Sequence, residues 1–262
     1  MLPKPSSLGV EYARRFQDRS MVEAYKYRAP YPDEVFDILA SLIPTGPRRV
    51  LDVGCGTGEI ARSLVSRVEW VDAVDFSEAM LEEARRLPHG DDPRIHWIYG
   101  KVEEVALDPP YALITAGASL HWMEWSSVLP RFSRLLTQGG YLAIIEQETT
   151  PSPWDHNMRE LVQRYSTNKE FQAYDLVEEL EKRGLFERIG EKRTQPMPFV
   201  ESVDDYIESY HSRNGFSKDW MPVGDARAFD AEAKQRLMAI YPNGTISFEV
   251  AGTIAWGIPK IV

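Results

Sequence analysis

The chain has 262 residues, 43% of them apolar, and a formal net charge of −10. Its length supports one large α/β domain with a small cap, and its acidity argues against a nucleic-acid backbone or an anionic membrane as the main partner. The single Cys55 excludes an intrachain disulfide, no segment approaches the ~20 apolar residues needed to cross a bilayer, and the scattered histidines give no metal site, so a cytoplasmic monomer or homodimer is expected.

The start of the chain, MLPKPSSLGV, lacks an apolar secretory stretch. Residues 10–27 are polar and aromatic at helical spacing, after which Tyr27-Arg28-Ala29-Pro30-Tyr31-Pro32 forms an elbow before a helix over 33–42. The stretch VLDVGCGTGEIA, residues 50–61, reads as a buried strand that runs through alternating glycines into a helix. Gly54, Gly56 and Gly58 lack a Cβ, so a ligand can approach bare backbone at a helix N-terminus. A dinucleotide fingerprint needs a sixth-position glycine, where this chain has Glu59, and no Gly-Lys-Ser/Thr is present to form a P-loop.

A second strand over 70–75 ends in Asp75, an acid placed to accept hydrogen bonds from the two hydroxyls of a ribose. Ser77 caps the following helix, 78–87, in which Met80 serves either adenine or the core. Strands are expected at 95–99 and 111–116, a helix at 126–136 that stops at Thr137-Gln138-Gly139-Gly140, and a fifth strand at 141–146. Beyond residue 150 the expected order is a helix from near Trp154, a helix over 174–183, a sixth strand within 186–199, cap helices over 203–212 and 226–241, and a seventh strand over 244–256. Alternating strands and helices imply parallel pairing with right-handed crossovers, so the glycine turn and the ends of the second and fourth strands meet at one crevice.

VLDVGCGTGEIA, the acid at 75, the string GASLHW at 117–122 and a Gly-Gly before the fifth strand follow in order. Together they resemble the Rossmann-like (class I) S-adenosylmethionine-dependent methyltransferases, in particular the type 11, trans-aconitate methyltransferase-like group acting on small molecules. The resemblance implies an α/β fold with a doubly wound seven-stranded sheet, mostly parallel with an antiparallel edge strand, plus a small helical cap. It implies an N-terminal lid over 1–44, a cofactor-binding core over 45–150, and a sheet edge with cap insertions over 151–262, all in one methyltransferase domain.

The expected product is S-adenosylhomocysteine. The residues the resemblance assigns to the cofactor are Asp52, Gly54, Cys55, Gly56, Gly58, Asp75, Phe76, Met80, Val102, Glu103, Ala116 and Gly117; the elbow is either a surface helix with an aromatic hinge or a lid from which Tyr27, Arg28 or Tyr31 reaches the cofactor carboxylate. Lys101 departs from the family, which often has an adenine-binding acid there; the backbone of Val102 and the carboxylate of Glu103 take over that contact. His121 is the catalytic candidate, either as a base for a hydroxyl or amine acceptor or as a hydrogen-bond donor to a carboxylate. Trp122, Tyr206, Tyr210 and His211 complete the expected substrate set, with core packing as the competing role of Trp122 and the two tyrosines. The implied activity is methyl transfer to a small-molecule carboxylate, hydroxyl or amine. The alternatives are a regulatory module that binds the cofactor without transfer and an NAD-type oxidoreductase, the latter disfavoured by Glu59.

Overall fold

The computed structural model describes residues 4, 8–44, 48–152, 155, 158–170 and 174–261. Chain order runs α1 (Val10–Arg14), α2 (Arg19–Tyr25), α3 (Asp33–Ser41), β1 (Arg49–Val53), α4 (Glu59–Leu64), β2 (Trp70–Asp75), α5 (Glu78–Arg86), β3 (Ile95–Tyr99), β4 (Tyr111–Gly117) and α6 (Trp125–Leu135). It continues through β5 (Leu136–Thr150), α7 (Arg159–Tyr165), α8 (Leu176–Lys182), β6 (Phe186–Arg193), β7 (Met197–Ser202), α9 (Val203–Tyr210), α10 (Asp225–Ile240) and β8 (Thr245–Pro259). The strands form one sheet in the order β3-β2-β1-β4-β5-β8-β6, with β7 also paired to β8. β1 through β5 pair in parallel, and β8 runs antiparallel to β5, β6 and β7.

The central strands read as near-continuous apolar runs because both of their faces are covered. On one face α3 and α4 bury Phe36, Leu39, Ile60 and Leu64; on the other α6 buries Val128, Leu129 and Phe132. A third apolar cluster, including Tyr210, Phe216, Phe229 and Phe248, is the core of the cap made by α7, α9 and α10 over β8. Strand order reverses between β1 and β4, which opens the crevice beyond their carboxyl ends.

Three expectations about elements are revised. The single helix expected over 10–27 is interrupted at Asp18, which is extended (ψ 135) and accepts hydrogen bonds from Trp220 Nε1 at 2.6 Å and Ser217 Oγ at 3.2 Å, so a tertiary contact overrides the local period. The sixth strand is split into β6 and β7 by Thr194-Gln195-Pro196; proline has no N–H to continue the ladder, and Thr194 instead exchanges bonds with Gly252. α6 ends at Leu135, before the expected glycine stop, because Leu136 is already extended and pairs with Tyr111; the left-handed Gly139 (φ +78) falls inside β5. The helix start expected near Trp154 lies outside the described residues.

Candidate functional site

β1 delivers the chain into a turn in which Gly54, Gly56 and Gly58 all have positive φ. Asp52, at 1% exposure, accepts a hydrogen bond from Thr115 Oγ1 at 2.8 Å through Oδ1, while its Oδ2 is buried with no hydrogen-bond partner among the described residues. At the end of β2, Asp75 accepts from the Gly56 amide at 2.7 Å through Oδ2 and from the Ser77 amide at 2.8 Å through Oδ1. Each oxygen of Asp75 thus retains accepting capacity. Burial pushes the Asp52 carboxyl up to about 7, partly offset by its hydrogen bonds, and that of Asp75 up to about 6.

The Asp52 shift has a stability consequence. Its folded value lies above that of an unfolded aspartate, so its contribution is fully present below about pH 4 and is lost as pH rises through about 7. The Asp52→Asn variant should therefore gain stability on wild type, in the ligand-free protein, by up to about 4 kcal/mol between pH ~4 and ~8. Thermal unfolding at a series of pH values measures it, and parallel curves for the two proteins would contradict the assignment.

Two cavities meet at the turn. One, of about 420 Å³, is bordered by Asp75, Phe76, Met80, Val102, Glu103 and Trp122. The other, of about 1110 Å³, is bordered by Asp52, Cys55, Arg28 and Glu59 and extends to the cap at Glu201, Tyr206 and Arg213. Tyr25, Gly54, Gly56, Gly117 and Ala118 border both. Ala118 holds the left-handed conformation (φ 47) at this junction, a strained position for a residue with a Cβ. His121 borders a third cavity, of about 510 Å³, which Trp122 and Arg213 connect to the other two.

Burial, with Lys4 and Arg28 adding positive charge nearby, pushes the His121 imidazole down to about 3, so it is neutral at physiological pH. Its ring packs against Trp122 with centroids 4.6 Å apart, and Trp122 packs against Phe16.

Several sequence candidates lie elsewhere. His211 is fully buried in the cap, with Nε2 2.8 Å from Asp230 Oδ1 and Nδ1 2.8 Å from the Phe216 carbonyl, so both ring nitrogens are engaged away from the cavities. Tyr210 is likewise fully buried, packed between Phe216 and Phe229, and the cavity wall is made by Tyr206 one turn earlier. Tyr27 borders neither of the two joined cavities; its ring lies under Lys26 Nζ. Ala116 is buried in β4 with Gly117 and Ala118 presented in its place, and Gly58 faces Trp97.

Tyr25, Gln17 and Gln147 escaped the sequence reading, as did the contacts that Glu59 and Arg28 make. Tyr25 reaches over the turn, 3.8 Å from where a Gly56 Cβ would stand, and Gln17 Nε2 donates to the Phe76 carbonyl at 2.8 Å. Glu59 accepts the Tyr31 amide at 2.7 Å and Gln147 donates to the carbonyls of Ala29 and Pro30, which fastens the elbow over the turn. Arg28 stacks on Tyr25 and donates to Ser212 Oγ and the Ser212 carbonyl, tying the elbow to the cap. Aromatic and polar residues at helical spacing carried no signal that separates a lid from a surface helix.

Among the described residues no cluster of His, Cys, Asp or Glu is arranged to hold a metal ion, and no helix is long and apolar enough to cross a membrane.

Residues 50–140 match the family described as a methyltransferase domain. Trans-aconitate 2-methyltransferase of Methylobacterium nodulans is 35% identical over 126 residues, covering 47% of this chain and 47% of that protein. The enzyme of the same name from Pseudomonas aeruginosa is 40% identical over 114 residues, covering 42% and 39%. The chain spans about half the length of the first relatives it matches. Among solved structures, a putative type II methyltransferase from Anaeromyxobacter dehalogenans superposes with a TM-score of 0.61 at 21% identity, over 89% of this chain and 99% of that one. Phosphoethanolamine N-methyltransferase 2 of Haemonchus contortus, bound to phosphomonomethylethanolamine and S-adenosylhomocysteine, superposes with a TM-score of 0.54 at 19% identity, over 95% and 59%. The strand order, the glycine turn and these superpositions show the Rossmann-like fold, and residues 50–140 within it match the methyltransferase domain.

Proposed function

We propose that the protein transfers a methyl group from S-adenosylmethionine to a small molecule bearing a carboxylate, hydroxyl or amine, seated in the larger cavity. The observation that carries this reading is the meeting of the two cavities at Gly54, Gly56, Gly117 and Ala118, with Asp52 on one side and Asp75 on the other. The residues present fit the cofactor: the orphaned Asp52 Oδ2 suits its ammonium, the open accepting sites of Asp75 suit its ribose hydroxyls, and the bare backbone at Gly56 leaves room beside Tyr25. Phe76, Met80 and the Val102 backbone would hold adenine, and Arg28 would face the carboxylate.

The cofactor, when bound, supplies a methyl group already activated on a sulfonium. What the chain contributes is alignment of the acceptor, worth roughly 7–11 kcal/mol of barrier when the reacting atoms are held in line. Residues of the elbow and the N-terminal helices, including Tyr25, border the junction, where they would limit water around the reacting atoms. A neutral His121 with a pKa near 3 is a poor base, which favours its role as a hydrogen-bonding group that orients the acceptor. The net charge of −10 supports a small molecule over a nucleic acid as acceptor, and the same reading takes the protein to be cytoplasmic.

Formation of S-adenosylhomocysteine on incubation with S-adenosylmethionine and a panel of small carboxylates, phenols and amines tests the proposal; no turnover with any of them, despite cofactor binding, would favour a regulatory module. With an acceptor in hand, His121→Ala should lower kcat by about 10–100-fold, the scale of one positioning contact, and leave the pH profile between about 5 and 8 unchanged in shape. Loss of an ionisation near 6.5 in that variant would instead identify His121 as the base.

A further inference from the structure

The larger cavity runs past the glycine turn to the cap, where β7, α9 and the segment after α9 bring together Glu201, Tyr206, Ser209 and Arg213. Two of these side chains carry opposite charges. The Arg213 guanidinium lies over the Tyr210 ring, 4.6 Å from its centroid, and donates to Ser209 Oγ at 3.1 Å. Glu201 accepts no side-chain hydrogen bond and forms no ion pair among the described residues. Yet it is half-buried and within electrostatic reach of both Arg213 and Asp205. Burial, with Asp205 adding to it and Arg213 opposing it, pushes the Glu201 carboxyl up to about 7.

A carboxylate withdrawn from water without a donor is costly, and the cost is relieved by a ligand that brings the donor with it. Phe248 and Tyr206 face the same space and give it an aromatic wall.

We propose that this wall is a two-pole acceptor subsite, in which Arg213 takes an anionic group and Glu201 takes a hydroxyl or ammonium donor, so that the acceptor is a small hydroxy- or amino-acid-type molecule. This rests on the methyltransferase reading of the same cavity. Above about pH 7, where Glu201 is ionised, a polycarboxylate fits it poorly, because its second carboxylate would stand against Glu201.

Three para-substituted benzoates of one shape test the subsite by calorimetric titration at about pH 8, where Glu201 is ionised, into protein saturated with S-adenosylhomocysteine: 4-hydroxybenzoate, 4-(aminomethyl)benzoate and terephthalate. Wild type should bind at least one of the first two about 10–100-fold more tightly than terephthalate, the scale of one hydrogen bond to a charged group. Glu201→Gln should abolish that preference with S-adenosylhomocysteine affinity unchanged, and Arg213→Gln should weaken all three ligands. Equal or tighter binding of terephthalate by wild type overturns the subsite, as does a preference that survives in Glu201→Gln or the absence of binding by all three at millimolar concentration. A changed cofactor affinity in Glu201→Gln would assign Glu201 to the cofactor and overturn the subsite alone. Failure of wild type to bind S-adenosylhomocysteine at all would overturn the methyltransferase reading beneath it.

Discussion

Replacing Asp75 by alanine should weaken S-adenosylhomocysteine binding by about 10²–10⁴-fold, the combined scale of two hydrogen bonds from ribose hydroxyls to a buried carboxylate. The carboxylate does two jobs, since it also accepts the amides of Gly56 and Ser77 and so fixes both the glycine turn and the start of α5. Ser77 is fully buried, so its amide would lose its partner without gaining water. The variant should consequently unfold at a lower temperature as well. Asp75→Asn keeps one accepting oxygen and should fall between wild type and Asp75→Ala in cofactor affinity. Titration calorimetry on folded protein, checked by circular dichroism, separates the two effects, and an unchanged affinity in Asp75→Ala would remove Asp75 from the site.

Gly58→Ala should be the most destabilising single-methyl change at the site, by about 2–5 kcal/mol. Gly58 has φ +75, a conformation that costs other residues, and an added Cβ would stand 2.2 Å from the Trp97 ring. Trp97 is not free to swing aside, because its Nε1 donates to the Gly90 carbonyl at 2.9 Å. In a chain of this length such a loss lowers the melting temperature by roughly 5–15 °C. Pairing the change with Trp97→Val should recover the steric part and leave the backbone part. A melting temperature within a degree of wild type would show that the turn relaxes and that Gly58 is tolerant.

Legibility in the sequence followed the source of each structural signal. β1, β2, β3 and β4 were readable because each is a short apolar run bounded by turn residues, and the acid at position 75 marks its own strand end. The break at Asp18 was not, because the groups that cause it, Ser217 and Trp220, are about 200 residues away. β6 falls within the expected stretch, but β7 was missed, because residues 186–199 were read as holding one strand and Pro196 divides them.

The same division holds at the site. Asp52 and the glycines are a local pattern, whereas Tyr25, Gln17 and Gln147 act through contacts that span 59 residues or more in the latter two cases. Glu59, read from the sequence only as a mark against a dinucleotide, is in the structure the acceptor that fastens the Tyr31 elbow. Tyr210 and His211 were drawn to the substrate by their chemistry alone; both are buried in the cap core, while Tyr206, one turn earlier, and Arg213, beyond the end of α9, border the cavity.

The most direct test of the central claim is a calorimetric titration of the purified protein with S-adenosylhomocysteine and, separately, with NAD. One S-adenosylhomocysteine per chain, with no heat from NAD and marked weakening in Asp75→Ala, is the expected result. Binding of NAD in preference to S-adenosylhomocysteine, or no binding of S-adenosylhomocysteine at any accessible concentration, would contradict it.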